Sequence, residues 1–155
     1  MIPIVTPLEM NAVDAAATEP ADVLISRAGA AVARAAVRMM GGTYGRTVHV
    51  IVGKGNNGAD GRVAGQLLAA RGVRVFVHDA ATCPRTLRPA HLVIDAAHGP
   101  GFPGTWSPPD LGAMPLPAID LPRRVDALTG DAHGPVLAAE RTVTFTAPTP
   151  ALPVP

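Results

Sequence analysis

The sequence predicts an α/β fold built on a mostly parallel sheet. Three observations carry that prediction. A β-branched run at 47–52 (TVHVIV) leads into a glycine-rich loop, a helical pattern and a second β-branched run at 73–77. Strand, helix and strand within about 30 residues make a βαβ unit with a right-handed crossover. Further short strand-like runs recur at 92–95 (LVID), 117–121 (PAIDL) and 141–145 (RTVTF). Finally, 48% hydrophobic against 16% charged residues can fill a core and excludes a disordered chain. The 155 residues suit one domain, 1–155, with 147–155 as an irregular proline-rich tail.

The elements follow in order. Thr6-Pro7-Leu8-Glu9 is a helix start, with Thr6 as cap and Glu9 completing a capping box, so a short helix is expected over 7–16. A second helix is expected over 22–40, with Val23, Leu24, Ala28, Ala31, Val32, Ala35 and Met39 near helical spacing. Gly41-Gly42 stops it. The run at 47–52 reads as a buried strand. After the loop from Gly53 to Gly61, a helix is expected over 62–71 with Val63, Leu67 and Leu68 facing in, ended by Gly72. Between Val77 and Leu92 lie 14 residues including Pro84 and Pro89, which leaves little room for a crossover helix. Residues 99–117 form a long Gly/Pro loop containing Trp106.

Several function classes are excluded at this level. Thirteen basic against twelve acidic residues give a net charge of +1, which offers no electrostatic reason for nucleic acid or an anionic membrane as partner. No apolar run approaches the roughly 18 residues of a membrane helix. The first residues show no leader pattern, so the cytoplasm is the expected location. Cys83 is the only cysteine, which rules out an intrachain disulfide and a multi-cysteine metal site.

The chemistry should sit after the first strand. Gly53-x-Gly55-x-x-Gly58 lies between a strand and a helix, the context in which glycines let backbone approach a phosphate and a helix N-terminus favours its charge. The bland alternative is a tight turn packing helix on sheet. Asp79, after the second strand, suits a ribose hydroxyl. In an open parallel sheet the chain must return past its first strand, and ligands bind at that reversal. Three loops would meet there, supplying Asn57, Asp60, Asp95, Asp120 and Asp126. His78, His91, His98 and His133 are dispersed and read as surface or turn residues, with His98 lying in the site loop. Half of a nicotinamide dehydrogenase is a further reading, resting on the glycine pattern and Asp79 alone.

These residues resemble a known family. Gly53-x-Gly55-Asn56-Asn57-Gly58-x-Asp60-Gly61, then Ile94-Asp95-Ala96-x-x-Gly99-x-Gly101, then Ile119-Asp120-x-Pro122-x-x-Val125-Asp126-x-Leu128-Thr129-Gly130, then Thr142-Val143-Thr144-Phe145 run in the order of the YjeF N-terminal family, the NAD(P)H-hydrate epimerases. The resemblance extends from about Thr6 to Leu152, and its most specific element is the N-N-G-x-D-G loop. It implies a three-layer αβα Rossmann-like fold, shortened here between Val77 and Leu92.

The resemblance also implies a reaction: interconversion of the R and S forms of hydrated NADH and NADPH, which carry a hydroxyl at C6 of the nicotinamide ring. It places Asn56, Asn57, Gly58, Ala59 and Asp60 on the phosphate and ribose region of the ligand. Gly99, Gly101 and Asp120 would face the nicotinamide, with Asp120 as the catalytic acid/base. Asn57 and Asp95 would hold a potassium ion. The partner is then a small molecule, with a homodimer as the assembly. Some positions depart from the family. Arg123 replaces a serine that would ligate potassium, Arg124 replaces a glycine, and Pro100 sits within a glycine turn. A guanidinium has no lone pair to give a cation. Arg123 is therefore expected to pair with Asp95 or a phosphate in place of the ion, the other arrangement being one in which it turns away. A nucleotide-binding or interaction module without catalysis is the alternative function.

Overall fold

A computed structural model gives the structure of the chain. It describes residues 6, 8, 9, 12, 16–98, 106–115, 117–119 and 141–143. The N-terminal capping box is formed: the Thr6 N–H donates to Glu9 Oε2 at 2.7 Å, and the Glu9 N–H donates to Thr6 Oγ1 at 3.3 Å. Leu8, Glu9, Ala12 and Ala16 are helical; the other positions of the expected first helix lie outside the described residues.

The main elements are α1 (Ala21–Met40), β1 (Thr47–Val52), α2 (Asn56–Ala69), β2 (Arg74–Asp79), β3 (Leu92–Ala96), β4 (Pro117–Ile119) and β5 (Arg141–Val143). The strands form one sheet in the order β2-β1-β3-β4-β5, every neighbour pair parallel. This is the α/β, Rossmann-like order that the sequence predicts. The chain moves from β1 through α2 to β2 on one side. It then returns to the other side of β1 for β3, which creates the switch point.

Alternation along the buried strands divides the core. Val48, Val50, Val52, Leu92, Ile94 and Ala96 pack with Val32, Ala33, Ala36, Ala64 and Leu68 of the two helices. The inward stripe of α1 is Gly29, Val32, Ala33, Ala36 and Met40, with Ala35 also buried. That corrects the expected stripe, since Leu24 is exposed. The cause is the crossing with α2. A Cβ on Gly29 would lie 2.6 Å from Val63 Cβ, so the smallest residues of α1 set its facing side. At its end, Gly41 is left-handed (φ 67°), and the Gly42 N–H closes back on the Val37 carbonyl at 3.1 Å.

The opposite face buries Ile51, Ala80, Leu87, Val93, Ala97 and Leu111. Among the described residues its cover is irregular chain, 80–91 and 106–115, with no helix in the former. These segments are tied by a bridge between Thr86 and Asp110 and by the Asp110 N–H donating to the Arg85 carbonyl at 2.7 Å. The Trp106 indole N–H donates to the Ala80 carbonyl.

His78 differs from its expected role as a surface or turn histidine. Its Nε2 lies 2.8 Å from Nδ1 of His49, which is buried at 3% exposure. His49 Nε2 is 3.0 Å from the Arg88 carbonyl. A carbonyl only accepts, so His49 carries its proton on Nε2, and in the neutral pair His78 donates to His49. His91 is also engaged: its Nδ1 accepts the Thr47 N–H at 3.1 Å.

Candidate functional site

The site forms where β1 and β3 end. β3 pairs with β1 from Val48↔Leu92 to Val52↔Ala96, so both strands stop at the same level. The Gly53 N–H donates to the Ala96 carbonyl at 3.0 Å and prolongs that pairing by one step. A Cβ on Gly53 would lie 1.5 Å from the Ala97 carbonyl oxygen, so only glycine allows the two exits to touch.

The glycine loop is shorter than its sequence suggests. α2 starts at Asn56, six residues ahead of the expected start at Arg62, and its capping residue Gly55 has φ 101°. Asn56 to Asp60 therefore form the helix's opening turns. No side chain caps this end. The N–H groups of Asn56, Asn57 and Gly58 precede the first i→i−4 bond, from the Ala59 N–H to the Gly55 carbonyl at 3.1 Å. They present a cluster of donors with the positive end of the helix dipole. Gly58 is required by packing as well: a Cβ there would fall 2.0 Å from the Gly53 carbonyl oxygen.

The side chains named from the sequence divide into three groups. Asn57 is half-buried, and its Nδ2 donates to the His98 carbonyl at 3.0 Å. This bond links the opening turn of α2 to the exit of β3. Asp95 is buried at 7% exposure, on the sheet face away from the helices, and accepts the Ala97 N–H at 3.0 Å. Asp60, also 7% exposed, lies one turn inside α2, while Asn56 is exposed. Asp79 ends β2, where its Oδ1 accepts the Ala81 N–H at 2.8 Å and shapes the following turn. Gly99, Gly101, Asp120, Arg123 and Asp126 lie outside the described residues, as does His133.

Two contributors were not identified from the sequence. Arg62 reaches back from α2, and its Nη1 donates to the Gly53 carbonyl at 3.2 Å, placing a cation beside the loop. Its sequence signal is an arginine just past the glycine loop, which a helix starting at Asn56 rather than Arg62 turns back toward Gly53. Trp106 packs edge-on against His98, with ring centroids 5.9 Å apart at 73°. That contact depends on tertiary structure and has no local signature.

The donors of a potassium site can be tested on this geometry. With Asn57 Nδ2 engaged at His98, the amide keeps Oδ1 as its acceptor end. Asp95 brings a carboxylate to the same exit. Oxygen donors of this kind suit a hard cation. Among the described residues no group of three or more His, Cys, Asp or Glu side chains is placed to hold a metal, so further ligands would be backbone carbonyls or groups elsewhere.

Comparison with known proteins agrees with this layout. The family model of the YjeF-related protein N-terminus matches residues 21–88. The chain is 33% identical over 183 residues to the NAD(P)H-hydrate epimerase of Leuconostoc mesenteroides, covering 94% of this chain and 80% of that protein. It is 31% identical over 198 residues to the bifunctional NAD(P)H-hydrate repair enzyme Nnr of Moorella thermoacetica, covering 94% of this chain and 36% of that protein. A crystal structure of the yeast protein ynu0 has the same fold, with a TM-score of 0.71 over 97% of this chain and 83% of that one, at 22% identity.

Proposed function

The chain belongs to the YjeF N-terminal family, that of the NAD(P)H-hydrate epimerases, and on that footing we propose that it interconverts the R and S epimers of hydrated NADH and NADPH. The observation that carries the site assignment is the Asn57–His98 bond. It draws the opening turn of α2, where an anion would bind, onto the exit of β3, where the family's reactive loop begins.

Each residue then has a task. The N–H groups of Asn56, Asn57 and Gly58 receive the pyrophosphate, with Arg62 as a nearby cation. Ala59 and Asp60 complete the phosphate and ribose contacts. Gly99 and Gly101 bring backbone close to the nicotinamide. Asp120 directly follows β4 in the sequence. It delivers a proton to the C6 hydroxyl as the C–O bond breaks, and it takes a proton back as water returns on the opposite ring face. A potassium ion, where bound, would sit on Asn57 Oδ1 and Asp95 and supply positive charge beside the ligand. Arg123 offers the alternative source of that charge. A homodimer working in the cytoplasm completes the proposal.

The test is direct. The chain is incubated with the R epimer of hydrated NADH, and the two epimers are separated over time. Conversion well above the spontaneous rate is the expected result. Tight ligand binding with no acceleration would give the chain to the non-catalytic reading.

A further inference from the structure

Beyond the C-terminal end of β2 lies a cleft of about 540 Å³, on the sheet face away from the helices. Its lining includes Ala81, Cys83, Arg85, Trp106, Ser107 and Asp110. That volume is within the range of about 300–1,000 Å³ usual for small-molecule sites.

The cleft is continuous with the switch point. Trp106 is oriented by its indole N–H, which donates to the Ala80 carbonyl. Its ring meets His98, whose carbonyl accepts from Asn57. On the other wall, the Ala80 N–H donates to the Val52 carbonyl at 2.8 Å, so the cleft starts where β1 ends. Contacts thus run from the opening turn of α2 through His98 to Trp106, beside Ala80 just past the end of β2.

A dinucleotide has to cross the switch point. With its pyrophosphate at α2 and its nicotinamide toward β4, the other half must extend over β2. Asp79 does not obstruct that path, because its Oδ1 is turned into the Ala81 N–H. Among the described residues, Arg85 is the only cation in the lining.

We propose that this cleft binds the adenosine half of the dinucleotide, with the purine against Trp106 and Arg85 beside the ribose hydroxyls, while the 5′-phosphate stays with the pyrophosphate at α2. The proposal rests on the nucleotide site assigned above. An indole offers a flat apolar face to a purine, and a guanidinium offers several N–H donors to ribose hydroxyl oxygens.

Trp106 and Cys83 are the only tryptophan and cysteine, so both walls report without labels. The full chain is titrated with ADP-ribose and with 5′-AMP, following Trp106 emission, the alkylation rate of Cys83 and the heat of binding. Emission should change with occupancy. Alkylation should slow about fivefold at a ligand concentration of about four times Kd. Arg85→Ala and Ala81→Leu, both at exposed positions, should each weaken 5′-AMP about tenfold with unchanged circular dichroism. If ADP-ribose binds by calorimetry while Trp106 emission and Cys83 alkylation stay constant, the adenosine lies elsewhere and the phosphate site survives. If ADP-ribose fails to bind at all, both assignments fall.

Discussion

On the proposed reaction, Asn57 and Asp120 would carry separable parts of the function. Asn57→Asp keeps the size of the side chain but replaces the donor facing the His98 carbonyl with an acceptor. Affinity for ADP-ribose should fall about tenfold, roughly 1.4 kcal/mol, in calorimetry. Equal affinity would remove Asn57 from the site. Asp120→Asn removes the proposed acid/base while preserving shape, so epimerisation should drop about 10²-fold or more while binding persists. Undiminished turnover in this variant would overturn the assignment. The His49–His78 pair makes a prediction about stability. Burial, with His49 beside it, lowers the His78 pKa from its ordinary value of 6.5. The unfolded chain then binds more protons below that value, so the pair's contribution is complete above about pH 6.5 and is lost as pH falls toward the lowered pKa. His78→Gln should flatten this part of the Tm–pH profile. An unchanged slope would mean that the pair does not couple to folding. None of this pairing is legible locally, because residues 29 apart meet only through the β1–β2 register.

At the level of elements, α2 shows what local preference misses. Asn, Gly and Asp are weak helix formers, so Asn-Asn-Gly-Ala-Asp-Gly reads as loop. The backbone is nonetheless helical from Asn56, where Gly58 packs on Gly53 and Gly61 on Ala96. The glycines of this helix differ in kind, which gives a paired test. At Gly58 a Cβ meets the Gly53 carbonyl at 2.0 Å, and backbone cannot yield cheaply. At Gly65 the nearest atom is 3.5 Å away, in ordinary contact. Gly58→Ala should therefore cost about 1–3 kcal/mol and weaken nucleotide binding. Gly65→Ala should be neutral or stabilise by up to about 1 kcal/mol through helix propensity. Urea melts of both variants decide it: equal stability would show that the loop has room and that Gly58 is not needed for packing. The same reasoning explains α1, where apolar periodicity gave the helix but not its face. Small residues, invisible to a hydrophobicity pattern, set the crossing with α2.

Across the whole molecule, strand positions and the switch point were legible because β-branched runs and glycine turns are local signals. The second layer was legible only as an absence: Pro84 and Pro89 precluded a crossover helix, but nothing local showed that 80–91 and 106–115 would close over Ile51 and Val93 to form a cleft. Charge is the remaining global constraint. A net charge of +1 cannot draw an anionic dinucleotide by its overall field, so local cations must do so. Arg62 holds one such position by bonding to Gly53. Arg123 follows β4 by four residues in the sequence, at a position where the resemblance to the family implies a potassium ligand. Two unit charges 4 Å apart repel by roughly 4 kcal/mol at an effective dielectric near 20, enough to oppose joint occupancy unless the arginine swings outward. Pairing of Arg123 with Asp95 or a ligand phosphate would supply the same charge without the ion. Ligand affinity should then be unchanged when potassium is exchanged for tetramethylammonium at constant ionic strength, yet fall as total salt rises. Arg123→Ser combined with Arg124→Gly should make binding potassium-dependent, because the oxygens of Asn57 and Asp95 would again face a vacant cation position. A strong potassium requirement in the unaltered chain would show that Arg123 turns away and that the ion keeps its place.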